Sequence, residues 1–337
     1  MVVTGASSGI GRAVALAFAH RGARIVVTAR SAAALGDVAQ ECEAAHARAE
    51  AVDVPADVTD AKAIARVAET ALDRFGRIDV WVNAAGVGVL GLLDRIPPDE
   101  ARRVWEVNVQ GALHGALAAL PTMRSQGHGV LIDVSSILGG RVDAPYMGPY
   151  AASKAALVSL DEVLRQELVL TGERGVAVCT VLPGGVDTPF FAHAANRTGR
   201  RVRFLPALAT PERVARAVVR TAARPRRHVY VGPGARLLPW ANDTAPGLVR
   251  PLIRHRTEHG YLGAPGSAPV TTGTLFTPSA DTASVTGGRH GRARTVLRRA
   301  CLIAAAAAAT GAGLRGSRSH ARRHGCTRTH SFPRPHT

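Results

Sequence analysis

Seven short apolar runs, separated by stretches of helical periodicity, confine this chain to a narrow set of architectures. Met1–Thr4, Arg24–Thr28, Ala51–Val54, Ile78–Val82, Val130–Val134, Val176–Leu182 and His228–Val231 read as strands. Val2, Val3, Ile25, Val26 and Val27 are β-branched and consecutive rather than alternating with polar residues. That is the pattern of strands buried on both faces. Helical patterns fall near residues 9–20, 32–48, 60–75, 99–120, 150–170 and 211–223. Strands that alternate with helices of crossover length imply a parallel sheet, covered on both faces and wound right-handed. The fold class expected is therefore α/β, a doubly wound parallel sheet of about seven strands.

Two strings carry chemistry. Thr4-Gly5-Ala6-Ser7-Ser8-Gly9-Ile10-Gly11 joins the first strand to the first helix. Gly5 allows a tight turn, and Gly9 and Gly11 let backbone N–H groups approach an anion at a helix N-terminus. Tyr150-Ala151-Ala152-Ser153-Lys154 sets a phenol and an ammonium four residues apart, on one face of a helix. A phosphate cradle with such a pair suits hydride transfer to a carbonyl. The phenol delivers a proton, and a nearby ammonium stabilises phenolate.

These strings, with Asp57-Val58, Asn83-Ala84-Ala85-Gly86, Asn108-Val109-Gln110-Gly111, Ser135-Ser136 and Pro183-Gly184-Gly185-Val186-Asp187-Thr188, resemble the classical short-chain dehydrogenases/reductases over residues 1–235. The resemblance implies a Rossmann fold and an NAD(P)-dependent oxidoreductase, a carbonyl reductase that interconverts a secondary alcohol and a ketone or aldehyde. It implies Tyr150 as general acid/base, Lys154 on the nicotinamide ribose and Asn108 in a proton relay. Ser136 polarises the carbonyl, with Ser135 as its alternative. Gly139-Gly140 reads as a one-residue insertion between that serine and Tyr150. Cofactor contacts fall to Gly5, Ser7, Ser8, Gly9, Ile10 and Gly11 at the phosphates, and to Asp57 and Val58 at the adenine. Asn83, Ala84 and Gly86 let the chain pass close by. Pro183, Gly184, Val186 and Thr188 face the carboxamide, and Tyr150 and Lys154 face the ribose. The family commonly forms homodimers or homotetramers.

Cofactor preference is readable after the second strand, where NAD users place an acid for the ribose hydroxyls. Here the residues are Thr28-Ala29-Arg30-Ser31. With no acid at 29 and a guanidinium suited to a 2′-phosphate, NADP(H) is favoured over NAD(H). Arg12 is placed to add to that field. Leu90, Leu92, Leu138, Tyr146, Phe190, Phe191 and Leu205 are candidate walls of an apolar substrate pocket. A substrate lid is expected near 188–210, where Arg200, Arg201 and Arg203 are placed to meet an anion.

The charge of +17 is unevenly spread. Through Asp187 there are 17 Lys and Arg against 21 Asp and Glu; from Thr188 onward, 25 against 4. Residues 236–262 suggest a helical segment. Residues 263–337 read as a basic, largely disordered tail rich in Gly, Ser, Thr and Ala that contacts anionic surfaces weakly. The Ala-rich run at 301–314 is too short for a bilayer span of about 20 residues. His320, His324, Cys326 and His330 fit no standard metal site, so no metal is expected. Four cysteines without paired spacing suit a reducing, cytoplasmic setting, with peripheral membrane association as the variant. The alternative function is a non-catalytic NADP(H)-binding redox regulator with a nucleic-acid- or membrane-binding tail.

Overall fold

A computed structural model describes residues 1–139, 141–203, 208–278 and 284–289. Leu205, Gly140, the 301–314 run and the His320–His330 cluster lie outside the described residues. Met1–Arg289 forms one compact unit.

The chain opens with β1 (Val2–Thr4), the glycine turn and α1 (Gly9–Ala19), then β2 (Arg24–Thr28) and α2 (Ala32–Ala45). β3 (Glu50–Asp53), α3 (Ala61–Phe75) and β4 (Val80–Asn83) complete the first half, and a short β5 (Val89–Leu90) follows. Local chemistry sets the boundaries. The Ser31 hydroxyl caps the α2 amide of Ala34, and Asp60 caps Lys62 and Ala63 of α3. Gly76, left-handed at φ 74°, ends α3.

The pattern expected as one helix over 99–120 is instead α4 (Pro98–Trp105), a π-helical turn at Glu106–Gln110 and α5 (Gly111–Gln126). Such a wide turn, frequent at functional sites, shifts which side chains face inward. β6 (Gly129–Val134), α6 (Gly148–Leu170) and β7 (Val176–Pro183) follow. Next come α7 (Phe190–His193), β8 (Ala195–Asn196), α8 (Pro211–Ala223) and β9 (His228–Val231), and then α9 (Leu237–Thr244) and α10 (Pro246–Arg256).

The seven long strands pair in parallel in the order β3-β2-β1-β4-β6-β7-β9, as expected for a doubly wound sheet. β5 and β8 form a separate parallel pair that the sequence patterns do not announce. One core layer joins Val3, Val27 and Val82 to α1, α2 and α8; the other sets Val2, Trp81 and Leu131 against α3 and α5. Consecutive strand residues thus enter opposite layers, which is why the runs are continuously apolar.

The body extends further than its sequence suggests. Leu275, in the stretch expected to be a largely disordered tail, is fully buried, and Thr271–Pro278 and Ser284–Arg289 make backbone hydrogen bonds to α1, α7, β8 and the Asp187 loop. The compact unit therefore ends near 289 rather than 262.

Candidate functional site

The carboxyl ends of β1, β4, β6 and β7 open onto one cavity of about 530 Å³. At one end lies the glycine turn. Gly5 (φ 66°) packs so close that a Cβ would stand 2.6 Å from the Ala85 backbone, and one on Gly11 would stand 2.2 Å from the Gly5 carbonyl. The turn lies flush against the loop after β4, where Thr4 Oγ1 accepts from the amides of Ala84 and Ala85. Ser7, Ser8, Ile10 and Gly11 line the cavity with Gly5 and Gly9. A Cβ on Gly86 would point toward Asn108 Oδ1 at 3.5 Å and Lys154 Nζ at 3.6 Å, so this glycine also keeps a channel open. The cradle suits a pyrophosphate through the backbone donors of the turn other than the Gly9 amide, which donates to the Ser284 carbonyl at 2.9 Å.

Ser136 and Tyr150 meet at the inner end of the cavity. The Ser136 hydroxyl accepts from the Leu138 amide at 3.1 Å, and its hydrogen bonding works to lower the Tyr150 phenol. Ser135 is occupied elsewhere, its buried hydroxyl donating to the Lys154 carbonyl at 3.0 Å. Burial pushes the phenol up to about 12, against the Ser136 hydrogen bond. It stays protonated at neutral pH.

Lys154 is almost fully buried, and its ammonium donates to the Val134 carbonyl at 2.9 Å, 5.8 Å from the Tyr150 ring centre. Burial lowers it to about 8, opposed by Asp133 and Asp161. Those two carboxyl groups share a hydrogen bond below the lysine. Burial and the neighbouring charge of Asp133 hold Asp161 above its ordinary range. Asn83 Nδ2 anchors Asp133 at 2.7 Å and the Ala112 carbonyl at 3.0 Å, tying β4 to β6 and α5. Asp161 accepts from Thr180 at 2.5 Å.

Asn108 sits on the π-helical turn. Its amide clasps both backbone groups of Val87 and donates to Ser153 Oγ at 2.9 Å. Within the described structure it positions the Val87 strand end rather than contacting Lys154.

The end of the cavity expected to take adenosine is more crowded than the sequence suggests. Asp57 accepts from Arg103 at 2.5 Å and from Thr59 at 2.9 Å. Burial raises it, but these bonds outweigh that and hold it below its ordinary value. Arg30 donates to the carbonyls of Thr274, Leu275 and Phe276. Arg12 turns to Glu41 on α2 at 2.8 Å, away from any phosphate.

The substrate side is aromatic and aliphatic. Tyr150, Phe190, Phe191 and Tyr261 form a chain of ring contacts 5.1–5.5 Å apart. Leu138 lines the cavity, but Leu90 is buried in β5 and Leu92 is exposed. Tyr146 is not a wall either: it stands at φ 69° and donates to Glu258 at 2.6 Å. Arg200, expected to meet an anion, also pairs with Glu258 at 2.6 Å. Arg103, Glu258 and the buried acids had no sequence signal, since each works through a partner far along the chain. Thr188, Pro183, Gly184, Val58, Ala84 and Val186 all line the cavity.

Residues 1–198 match the short chain dehydrogenase family. The chain belongs to that family. This short-chain dehydrogenase is 33% identical over 279 residues to an uncharacterised oxidoreductase, YxnA, of Bacillus subtilis, covering 82% of this chain and 77% of that one. It is 32% identical to the dehydrogenase/reductase SDR family member 7B of Bos taurus, over 77% of this chain and 81% of that one. A solved short-chain dehydrogenase from Burkholderia phymatum in complex with NAD superposes with TM-score 0.63 at 27% identity, over 75% of this chain and 94% of its own. An alcohol dehydrogenase of Thermococcus sibiricus complexed with 5-hydroxy-NADP gives 0.60 at 28% identity, over 68% and 94%. Family membership makes the chain an oxidoreductase that acts on CH–OH groups with NAD(P). Among the described residues no helix is long and apolar enough to cross a membrane, and no cluster of three His, Cys, Asp or Glu is placed to hold a metal.

Proposed function

We propose that this chain is an NADP(H)-dependent carbonyl reductase in which Tyr150 is the general acid/base. The observation that carries this reading is that Ser136, Tyr150 and Lys154 line one cavity together, with the Lys154 ammonium 5.8 Å from the Tyr150 ring centre. The nicotinamide group supplies or accepts the hydride when bound. A protonated phenol then delivers its proton to the developing alkoxide, Ser136 donates to the same oxygen, and the buried ammonium stabilises the phenolate left behind. Asn108 fixes the backbone beside Lys154, which keeps open the path for the proton's return. The glycine turn with Ser7, Ser8 and Ile10 holds the phosphates, and Gly86 and Val186–Thr188 flank the nicotinamide end.

Arg30 supports preference for NADP(H): it is a cation at the proposed adenosine end that, among the described residues, forms no ion pair with a carboxylate. The aromatic chain from Tyr150 to Tyr261 supports an apolar ketone or aldehyde, or the matching secondary alcohol. Leu113 and Leu117 of α5 and Leu160 and Val163 of α6 are exposed, which supports self-association through these helices. Light scattering of the purified chain checks that point. Cys42 and Cys179 are buried free thiols, in keeping with a cytoplasmic setting.

The test is Tyr150→Phe, which removes only the hydroxyl. Reduction of a panel of apolar ketones, followed by NADPH absorbance, should fall by at least about 100-fold. NADPH affinity should hold. A variant that keeps wild-type turnover rules out Tyr150 as the acid.

A further inference from the structure

Two stretches near the end of the compact unit reach the proposed cofactor groove from opposite sides. Thr271 exchanges backbone hydrogen bonds with Asn196 of β8 at 2.8 and 3.0 Å, and the Thr274 amide donates to the His193 carbonyl at 2.7 Å. Leu275 is seated among Val89, Ile96, Val104 and Ala195. The next carbonyls are thereby aimed at one side chain. Arg30 Nη2 donates to Thr274 O at 2.6 Å, and Nη1 to Leu275 O at 3.1 Å and Phe276 O at 3.2 Å. Arg103, which holds Asp57, shares the Leu275 carbonyl at 3.1 Å. Thr274 and Pro278 are themselves cavity walls.

The second stretch grips the other end. Ser284 O accepts from the Gly9 amide of the phosphate turn at 2.9 Å. Gly287 N–H donates to Asp187 O at 3.1 Å, and Arg289 N–H to Asp187 Oδ2 at 2.9 Å. Val285, partly buried, packs against the core layer that holds α1, α2 and α8. Ser284–Arg289 does not line the cavity, which keeps its 530 Å³ with both stretches in place. The segment therefore braces the groove from outside and does not fill it.

Neutral carbonyls orient a guanidinium without cancelling its charge, unlike a carboxylate. Arg30 is thus fixed as a cation before any phosphate arrives. The phosphate turn and the loop after β7, which must both close on a dinucleotide, are tied to one and the same stretch of chain. We propose that Thr271–Pro278 and Ser284–Arg289 form a cofactor clamp: the first part presets Arg30 at the adenosine end, and the second couples the phosphate turn to the Asp187–Thr188 loop. The clamp rests on the cofactor reading above. By linkage, a nucleotide held by the clamp stabilises the seated segment to the same degree.

The test uses the full chain with NADPH and NADH. Nucleotide fluorescence gives affinity, stopped-flow displacement gives the dissociation rate, and hydrogen exchange reports on peptides covering 271–289. In the wild type, NADPH should slow exchange there. Gly287→Val cannot seat, because a Cβ at 287 would stand 2.6 Å from Thr188 O and 2.7 Å from Asp187 Oδ1. Val285→Asp loosens the same stretch by replacing its apolar contact with the core by a charge. Each should release NADPH on the order of tenfold faster. An unchanged release rate with exchange showing the segment detached overturns the clamp. Tighter binding in the variants overturns it too, since the segment would then compete with the nucleotide. Wild-type exchange that ignores NADPH overturns it without any variant. If the wild type binds neither nucleotide, the cofactor reading falls as well, an outcome distinct from the others.

Discussion

Arg30 reaches the adenosine end with full charge and three carbonyl partners, so its replacement tests cofactor choice at a single atom group. Arg30→Asp should move the ratio of kcat/KM from NADPH toward NADH by at least about tenfold, because charge-assisted hydrogen bonds to phosphate are worth roughly 1.5–3 kcal/mol. An unmoved ratio refutes the assignment. The Asp133–Asp161 pair makes a different forecast. Its protons are held more tightly in the folded chain than in the unfolded one. Acids raised in this way lend stability at low pH and lose it as pH climbs above the ordinary carboxylate range. Asp161→Asn keeps the shape and removes one charge, so thermal unfolding should flatten against pH and the melting temperature at pH 8 should rise. A melting curve as steep in pH as the wild type's contradicts the pairing.

Among elements, the turn between β1 and α1 tolerates least. Gly11→Ala drives a methyl group into the Gly5 carbonyl, so the turn must shift or the helix tilt. We expect the variant to lose nucleotide binding and to melt well below the wild type; intact binding contradicts the packing described. This turn was legible in the sequence because its chemistry is contiguous: strand, glycines and helix follow one another. The seven strands were legible as short apolar runs between helical patterns, the first two as consecutive β-branched residues. The π-helical turn at 106–110 was not, since helical periodicity continues through it. Nor was the contact of Thr274–Phe276 with Arg30, which uses backbone carbonyls that any residue supplies. The Gly-, Thr- and Pro-rich composition of that stretch read as a largely disordered tail. Tyr146 misled because its backbone turns left-handed and swings the ring to Glu258, a reversal no spacing rule conveys. The engagement of the Ser135 hydroxyl by the Lys154 carbonyl was not legible either, since it depends on α6 packing against β6.

For the molecule as a whole, the compact unit through Arg289 contains every residue proposed for the site. Deleting 290–337 should leave cooperative unfolding and NADPH turnover intact while weakening retention on heparin, since the removed part is strongly basic. Loss of turnover contradicts that boundary. The neutral partners of Arg30 have a kinetic consequence as well. A cation whose charge is oriented but not cancelled projects its field into solvent before contact, and it lies in a groove whose carboxylate, Asp57, is already matched by Arg103. An arriving dinucleotide carries several negative charges, so its capture should be guided over about a Debye length, some 10 Å at 0.1 M salt. Association should therefore slow steeply as salt rises, while departure, governed by short-range bonds, should hardly change.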